Sequence, residues 1–89
     1  MGETTDTRRK RLLYRSWHRG LKEADLLLGS FAERHLDGFT PAELDQWEAL
    51  LGENDADLLD WIFARRPPPP PLDGAVQRLR HFRYQPRPA

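Results

Sequence analysis

Residues 17–25, Trp-His-Arg-Gly-Leu-Lys-Glu-Ala-Asp, separate two helix-like patterns and set the direction of the chain on either side. Gly20 interrupts the periodicity, and a residue without a Cβ can adopt the left-handed conformation that ends one helix and orients the next. Glu23 and Asp25 fall in the first turn of the second helix, where the helix dipole favours anions. Residues 8–22 carry seven cations and no carboxylate. We therefore predict a charged, glycine-centred junction between two helices, and we call residues 18–25 the corner.

A purely structural interpretation of the corner is also open. Gly20 would end the first helix, and Arg19 would be a cation at the C-terminus of that helix. Glu23 would accept hydrogen bonds from backbone N–H groups in the first turn of the second helix. An Arg-Gly-x-x-Glu string does not by itself separate this interpretation from a binding site. The sequence around the corner has to decide between them.

Apolar residues at helical spacing continue on both sides of the corner. Leu13 and Trp17 lie four residues apart and Leu12 and Tyr14 widen their stripe, which predicts a short amphipathic helix over residues 8–18. A second, central helix is predicted over residues 22–35. Its buried face is Leu21, Ala24, Leu28, Phe31 and His35. Gly29 inside this helix indicates a close contact with a neighbouring helix, and His35 is expected at the C-terminal end.

The clearest local signal is Phe-Thr-Pro-Ala-Glu-Leu at residues 39–44. Thr40 is a good N-cap, Pro41 suits the first helical position and Glu43 completes a capping box, so a third helix begins here and ends at Gly52. Asn54 or Asp55 can cap a fourth helix with apolar residues over 58–63.

The C-terminal part begins with five consecutive prolines, residues 67–71, which predict a polyproline II segment. Asp73 is then expected to cap a short last helix whose inward side chains are Val76, Leu79 and Phe82.

Length and composition agree with one small domain. The chain has 89 residues, no cysteine and zero net charge, so we predict an all-α bundle of about five helices over residues 8–84, between a disordered leader (1–7) and a disordered tail (85–89). The charge is segregated, because residues 41–64 hold seven carboxylates and no Lys or Arg. The predicted core is Trp17, Phe31, Leu44, Trp47, Leu58, Trp61 and Ile62.

The residues around the corner resemble a known family. Residues 11–25 look like the signature of the SdhE-type FAD assembly factors of succinate dehydrogenase, found in proteobacteria and mitochondria, whose hallmark Arg-Gly-x-x-Glu is here Arg19, Gly20 and Glu23. Residues 57–62, Asp-Leu-Leu-Asp-Trp-Ile, are similar to that family's second stretch, an Asp-Leu pair followed by a Trp. The resemblance covers most of residues 8–66, whereas the proline run is not part of the pattern.

The resemblance implies an assembly chaperone and not an enzyme. Such a protein binds the flavoprotein subunit of succinate dehydrogenase, and in bacteria also that of fumarate reductase, and promotes covalent attachment of FAD to a histidine of that subunit. It implies partner contact by Arg19, Gly20 and Glu23, and we add as further contact candidates Trp17, His18 and Asp25. No stably bound cofactor is expected, since FAD attachment occurs in the partner, and the free chain is expected to be a monomer.

Two other classes of function were weighed from the residues alone. The basic helix over residues 8–22, with Tyr14 and Trp17, is compatible with a small nucleic-acid-binding or antitoxin-like regulator, although zero net charge and the acidic middle argue against it. A metal-dependent or hydrolytic enzyme has little support, because the three histidines are scattered and no ligand spacing occurs. Without cysteine or a long apolar run, the chain is predicted to be cytoplasmic in a bacterium, with no membrane insertion.

Overall fold

A computed structural model describes residues 2–82 as an all-helical protein, which confirms the predicted fold class. Five α-helices and one short 3₁₀ turn follow one another: α1 Thr5–Trp17, α2 Lys22–His35, the 3₁₀ turn Leu36–Gly38, α3 Pro41–Leu51, α4 Asp55–Ile62 and α5 Pro70–His81. Over this part of the chain, none of the helices combines the length and the apolar character that crossing a lipid bilayer requires.

The predicted helix starts at the centre of the chain are confirmed. The Thr40 side chain accepts from the Glu43 backbone N–H at 3.2 Å, and the Glu43 carboxylate accepts from the Thr40 N–H at 2.8 Å, which completes the capping box. The Thr40 N–H is the main cause of the lowered pKa of Glu43, and Arg78 on α5 adds to it. Asn54 caps α4 by accepting from the Asp57 N–H at 2.9 Å.

The core lies where α2 and α3 meet α1, α4 and α5. Phe31 of α2 stacks on Trp47 of α3 with ring centroids 5.0 Å apart. The Trp47 indole N–H donates to Ser16 Oγ at 3.0 Å, and the Ser16 hydroxyl donates to the Leu12 carbonyl at 2.7 Å, so the buried polar atoms are satisfied. Of the predicted core, all but Trp17 are buried: Phe31, Leu44, Trp47, Leu58, Trp61 and Ile62.

The buried face of α1 differs from the prediction. Leu12 and Ser16 are fully buried, whereas Leu13 and Trp17 are only partly buried and Tyr14 is exposed. The Trp17 indole instead covers Gly29 of α2: a Cβ added at Gly29 would lie 2.2 Å from Trp17 Cδ2. The predicted close contact at Gly29 is therefore confirmed, with an indole as the neighbour.

The start of α1 corrects the last part of the disordered leader that we predicted for residues 1–7, because residues 5–7 are helical. The helix begins at Thr5, because the Thr4 side chain accepts from the Thr7 N–H at 3.1 Å. Glu3, just before the helix, accepts hydrogen bonds from Arg11 at 2.8 Å and 2.9 Å. Both interactions are between polar groups, and the apolar periodicity used to predict the helix does not show them.

The start of α5 corrects the predicted proline strut. Pro70 and Pro71 are the first two helical residues, so Asp73 lies in the first turn and is not the cap, whereas Pro69 before them has the predicted polyproline II conformation, with φ −57° and ψ 144°. Proline is compatible with a first helical turn because the backbone N–H it lacks has no helical partner there. Val76 and Leu79 are buried and Phe82 is partly buried, as predicted. The predicted tail, residues 85–89, and the last two residues of the predicted domain lie outside the described residues.

Candidate functional site

Two arginines of α1 are paired with carboxylates of the acidic helix α3. Arg8 donates to Asp45 at 2.7 Å and to Glu48 at 3.0 Å, and Arg11 donates to Glu48 at 3.2 Å. These hydrogen bonds, that of Arg11 first and that of Arg8 after it, hold the pKa of Glu48 below its usual value. The two charge-segregated parts of the sequence therefore face each other in the fold.

A third arginine of α1, Arg9, binds backbone carbonyls in the connection between α2 and α3. Arg9 donates to the Leu36 carbonyl at 3.1 Å and to the Phe39 carbonyl at 2.8 Å. Arginines with these partners are poorly placed to neutralise phosphates on another molecule. The structure therefore does not favour the nucleic-acid-binding alternative.

The corner has the backbone geometry predicted from Gly20. The φ angle of Gly20 is +95°, in the left-handed region, and a Cβ built there would have no heavy atom within 4 Å. An L-residue is strained at this angle even though the space is open. Gly20 is thus needed for the direction of the chain and leaves the backbone accessible from outside.

Arg19 points inward and links the corner to the junction of α3 and α4. Its guanidinium donates to the Asp55 carboxylate at 2.6 Å, to the Leu51 carbonyl at 2.7 Å, and to the Glu53 carbonyl. Only 10% of the Arg19 side chain is exposed. Leu51 and Glu53 lie where α3 has ended and has no further helical donors, so the guanidinium satisfies carbonyls that need a partner.

Asp25 holds the corner from the other side. Its carboxylate accepts from the Arg19 backbone N–H at 2.7 Å, across the turn made by Gly20. Arg19 is therefore fixed twice, through its backbone by α2 and through its side chain by the α3–α4 junction. Contacts within the chain are therefore sufficient to fix the backbone path of residues 18–25.

Glu23 differs from both of these residues. It is exposed in the first turn of α2, and no residue within 2–82 donates a hydrogen bond or forms an ion pair with its carboxylate. Lys22 beside it is also exposed, and α2 has no side-chain cap, since Leu21 occupies the N-cap position. The outer half of the corner thus presents Gly20, Leu21 and Glu23.

The remaining candidates, Trp17 and His18, lie on α1 and at its end. Trp17 covers Gly29 and is partly buried, so most of its contacts are internal. His18 is exposed and stacks on Tyr14 with ring centroids 3.9 Å apart and planes 16° from parallel. Leu21 was predicted on the buried face of α2, but it is 40% exposed because the backbone has not yet entered the helix there.

The structure therefore divides the six predicted residues into two groups. Arg19, Asp25 and Trp17 make internal contacts that shape the corner, and His18, Gly20 and Glu23 face outward. Asp55, the partner of Arg19, was interpreted in the sequence only as a cap of α4. The pair is separated by 36 positions, and no periodicity or capping rule connects residues so far apart.

Taken together, the fold and the corner define a small helical domain with an outward-facing loop whose path is fixed by internal hydrogen bonds. The chain belongs to the Sdh5 family, described as the flavinator of succinate dehydrogenase, whose family model matches residues 10–83. The corner and every helix except the first half of α1 lie within the matched residues, which agrees with the resemblance drawn from the Arg-Gly-x-x-Glu motif.

Curated relatives agree with this assignment. The chain is 50% identical over 60 residues to the mitochondrial succinate dehydrogenase assembly factor 2 of Debaryomyces hansenii, covering 67% of this chain and 42% of that protein. It is 47% identical over 62 residues to that of Candida glabrata, covering 70% and 40%. Assembly factor 2-B of Drosophila persimilis is 39% identical over 79 residues, covering 86% of this chain and 50% of the relative.

Two further facts follow from these relatives. The chain spans between two fifths and half of the length of the curated proteins it matches. The predicted location in a bacterial cytoplasm is wrong by this comparison, because the similar proteins are eukaryotic and their names place them in mitochondria. The absence of cysteine and of a long apolar run does not distinguish the bacterial cytoplasm from another compartment. Composition alone therefore cannot predict the location of the protein.

Proposed function

We propose that this chain binds the flavoprotein subunit of succinate dehydrogenase through the outer half of the corner and promotes covalent attachment of FAD to a histidine of that subunit. The observation that carries the proposal is the contrast at the corner: Arg19 and Asp25 fix its shape from inside, while Gly20 and Glu23 stay outside without partners among residues 2–82. The family assignment supplies the partner.

The geometry supports contact by backbone and by charge. Gly20 has no Cβ and open space around it, so a partner surface can approach the backbone closely. The Glu23 carboxylate can form a charge-assisted hydrogen bond that loses water only when the partner docks. Because internal hydrogen bonds of Arg19 and Asp25 already hold the corner, little conformational entropy should be lost on binding.

In this proposal the chain supplies position and no reacting group. The histidine and the FAD both belong to the partner, and holding the partner's domains in one arrangement can raise the rate of their reaction by proximity and orientation. Arg19, which the resemblance placed among the contact residues, acts instead by holding the corner in its binding shape.

The experiment measures covalent flavin on the succinate dehydrogenase flavoprotein subunit. Cells that lack their own factor are complemented with wild type, Gly20→Ala or Glu23→Gln, and in-gel flavin fluorescence of the denatured subunit is compared. Wild type is expected to restore covalent flavin. Glu23→Gln should lose it while melting like wild type, and Gly20→Ala should lose it at a folding cost of about 1 kcal/mol.

Glu33→Gln is the matched control. Glu33 is also exposed on α2, ten residues after Glu23, and has no ion pair within residues 2–82, so its variant should restore flavin fully. If wild type fails to change the covalent flavin of this subunit, the proposed function is wrong. If Glu23→Gln and Glu33→Gln both restore it, the corner is not the contact site.

Two finer expectations remain predictions. The fumarate reductase flavoprotein subunit is a second proposed client, and the same fluorescence assay on that subunit tests it. A monomeric free chain is the other, which sedimentation analysis tests directly.

A further inference from the structure

The outward face of α1 runs directly into the corner. Leu12 and Ser16 are buried, and Arg8 and Arg11 are turned toward α3. Opposite to Leu12 and Ser16, Lys10 and Tyr14 lie on one stripe of the helix, and His18, the C-cap residue just after α1, continues the interval of four. This stripe spans about 12 Å along the helix axis and ends one residue before Arg19.

Tyr14 is the most exposed of the large hydrophobic side chains within residues 2–82, at 64%. Tyrosine is enriched among the residues that contribute most to binding at protein interfaces, because its ring buries a large area and its hydroxyl can form a hydrogen bond. The sequence pattern predicted Tyr14 on the apolar stripe, so its exposure is also the largest departure of α1 from the expected burial.

Tyr14 is preorganised by His18. The rings are stacked, and His18 Nδ1 lies 2.7 Å from the Tyr14 carbonyl oxygen. A carbonyl only accepts hydrogen bonds, so the Nδ1–H group of His18 is the donor in this contact. The pair is thus held in one arrangement before binding, which reduces the entropy lost in a complex.

We propose that Lys10, Tyr14 and His18 extend the flavoprotein contact from the corner along α1, with Tyr14 at its centre. The inference rests on the proposed function, and its support is continuity, because His18 immediately precedes Arg19 and Leu21 lies just beyond Gly20. In chain order this surface carries a cation at Lys10, the exposed side chains of Tyr14 and Leu21, and the adjacent exposed charges of Lys22 and Glu23. It fits a protein surface that presents carboxylates opposite Lys10 and a cation opposite Glu23, a pattern that fixes the orientation of docking.

The test is the affinity of the purified chain for the purified succinate dehydrogenase flavoprotein subunit without covalent FAD, measured by biolayer interferometry. Tyr14→Ala should raise Kd by about tenfold or more, the range of an interface hot spot. Phe63→Ala is the matched control, since Phe63 is 51% exposed but lies at the end of α4, and its Kd should stay within about twofold of wild type. Each variant is first shown to melt as a folded protein.

A second pair of variants tests the charge. Lys10→Glu should weaken binding most at low salt, whereas the same change at Arg34, which is also exposed and lies at the far end of α2, should not. If Glu23→Gln weakens binding and Tyr14→Ala and Lys10→Glu leave it unchanged, the extension along α1 is wrong and the corner site stands. If none of the three changes binding, or wild type does not bind, the proposed function fails with it.

Discussion

Replacing Arg19 by alanine separates a residue that shapes the corner from one that touches the partner. The side chain is 10% exposed and donates to one carboxylate and two carbonyl groups, all within the chain. Its removal leaves Asp55 without its partner and two carbonyls at the end of α3 without donors. Hydrogen bonds to charged groups contribute about 1.5–3 kcal/mol each, and partial access of water to Asp55 lowers the sum. We expect Arg19→Ala to cost about 2–4 kcal/mol of the free energy of unfolding.

Arg8→Ala is the matched control for this change. Arg8 also binds carboxylates, but its partners Asp45 and Glu48 have side chains 71% and 33% exposed, so the loss should be about 1 kcal/mol or less. In thermal unfolding monitored by circular dichroism, Arg19→Ala should lower Tm by about 10 °C or more and Arg8→Ala by a few degrees. If Arg19→Ala melts like wild type and yet abolishes covalent flavin, Arg19 is a contact residue and the internal role assigned to it is wrong.

Three further predictions concern stability, each measured by urea denaturation. Gly29→Ala should lower the free energy of unfolding by about 1–3 kcal/mol, because the new Cβ displaces the indole of Trp17. A higher free energy of unfolding, as expected from the helix propensity of alanine alone, would contradict this packing. Ala64→Gly should stabilise by up to about 1 kcal/mol, since Ala64 has a φ of +59° after α4, and an unchanged or lower stability would show that this angle carries no strain. The pKa of Glu48 in the folded protein lies below its unfolded value of 4.5, because Arg11 and Arg8 hydrogen-bond its carboxylate. The contribution of Glu48 to the free energy of unfolding is therefore complete above pH 4.5 and is lost as the pH falls through the folded pKa. The stability difference between wild type and Glu48→Gln should therefore shrink in acid, and a difference that is constant from pH 7 to pH 3 would refute the assignment.

Local chemistry explains which parts of the fold could be predicted. The capping box at Thr40 and Glu43, the cap at Asn54 and the left-handed Gly20 each depend on residues at most three positions apart, and each is confirmed. The period of α2 was clear because its buried residues recur every three or four positions. Such signals depend on residues that are close in the sequence, so they can be recognised without knowing the tertiary contacts.

The departures have a common physical origin in longer-range contacts. Arg19 looked like a surface cation because Asp55 and the carbonyls at the end of α3 come together with it only in the folded chain. Tyr14 looked buried because the pattern of α1 does not show that Ser16, held by Trp47, occupies the centre of the covered face. Pro70 and Pro71 looked like part of an extended strut because a proline run is equally compatible with a first helical turn.

The most direct test of the central claim is amide hydrogen exchange of this chain, measured by mass spectrometry with and without the succinate dehydrogenase flavoprotein subunit. In the free chain the Lys22 and Glu23 amides have no acceptor among residues 2–82, so they should exchange quickly. Binding at the corner predicts slowed exchange over residues 18–25, with little change in the peptide over residues 60–66. Slowed exchange confined to other helices, with the corner amides as fast as in the free chain, would contradict the claim that the corner is the contact surface.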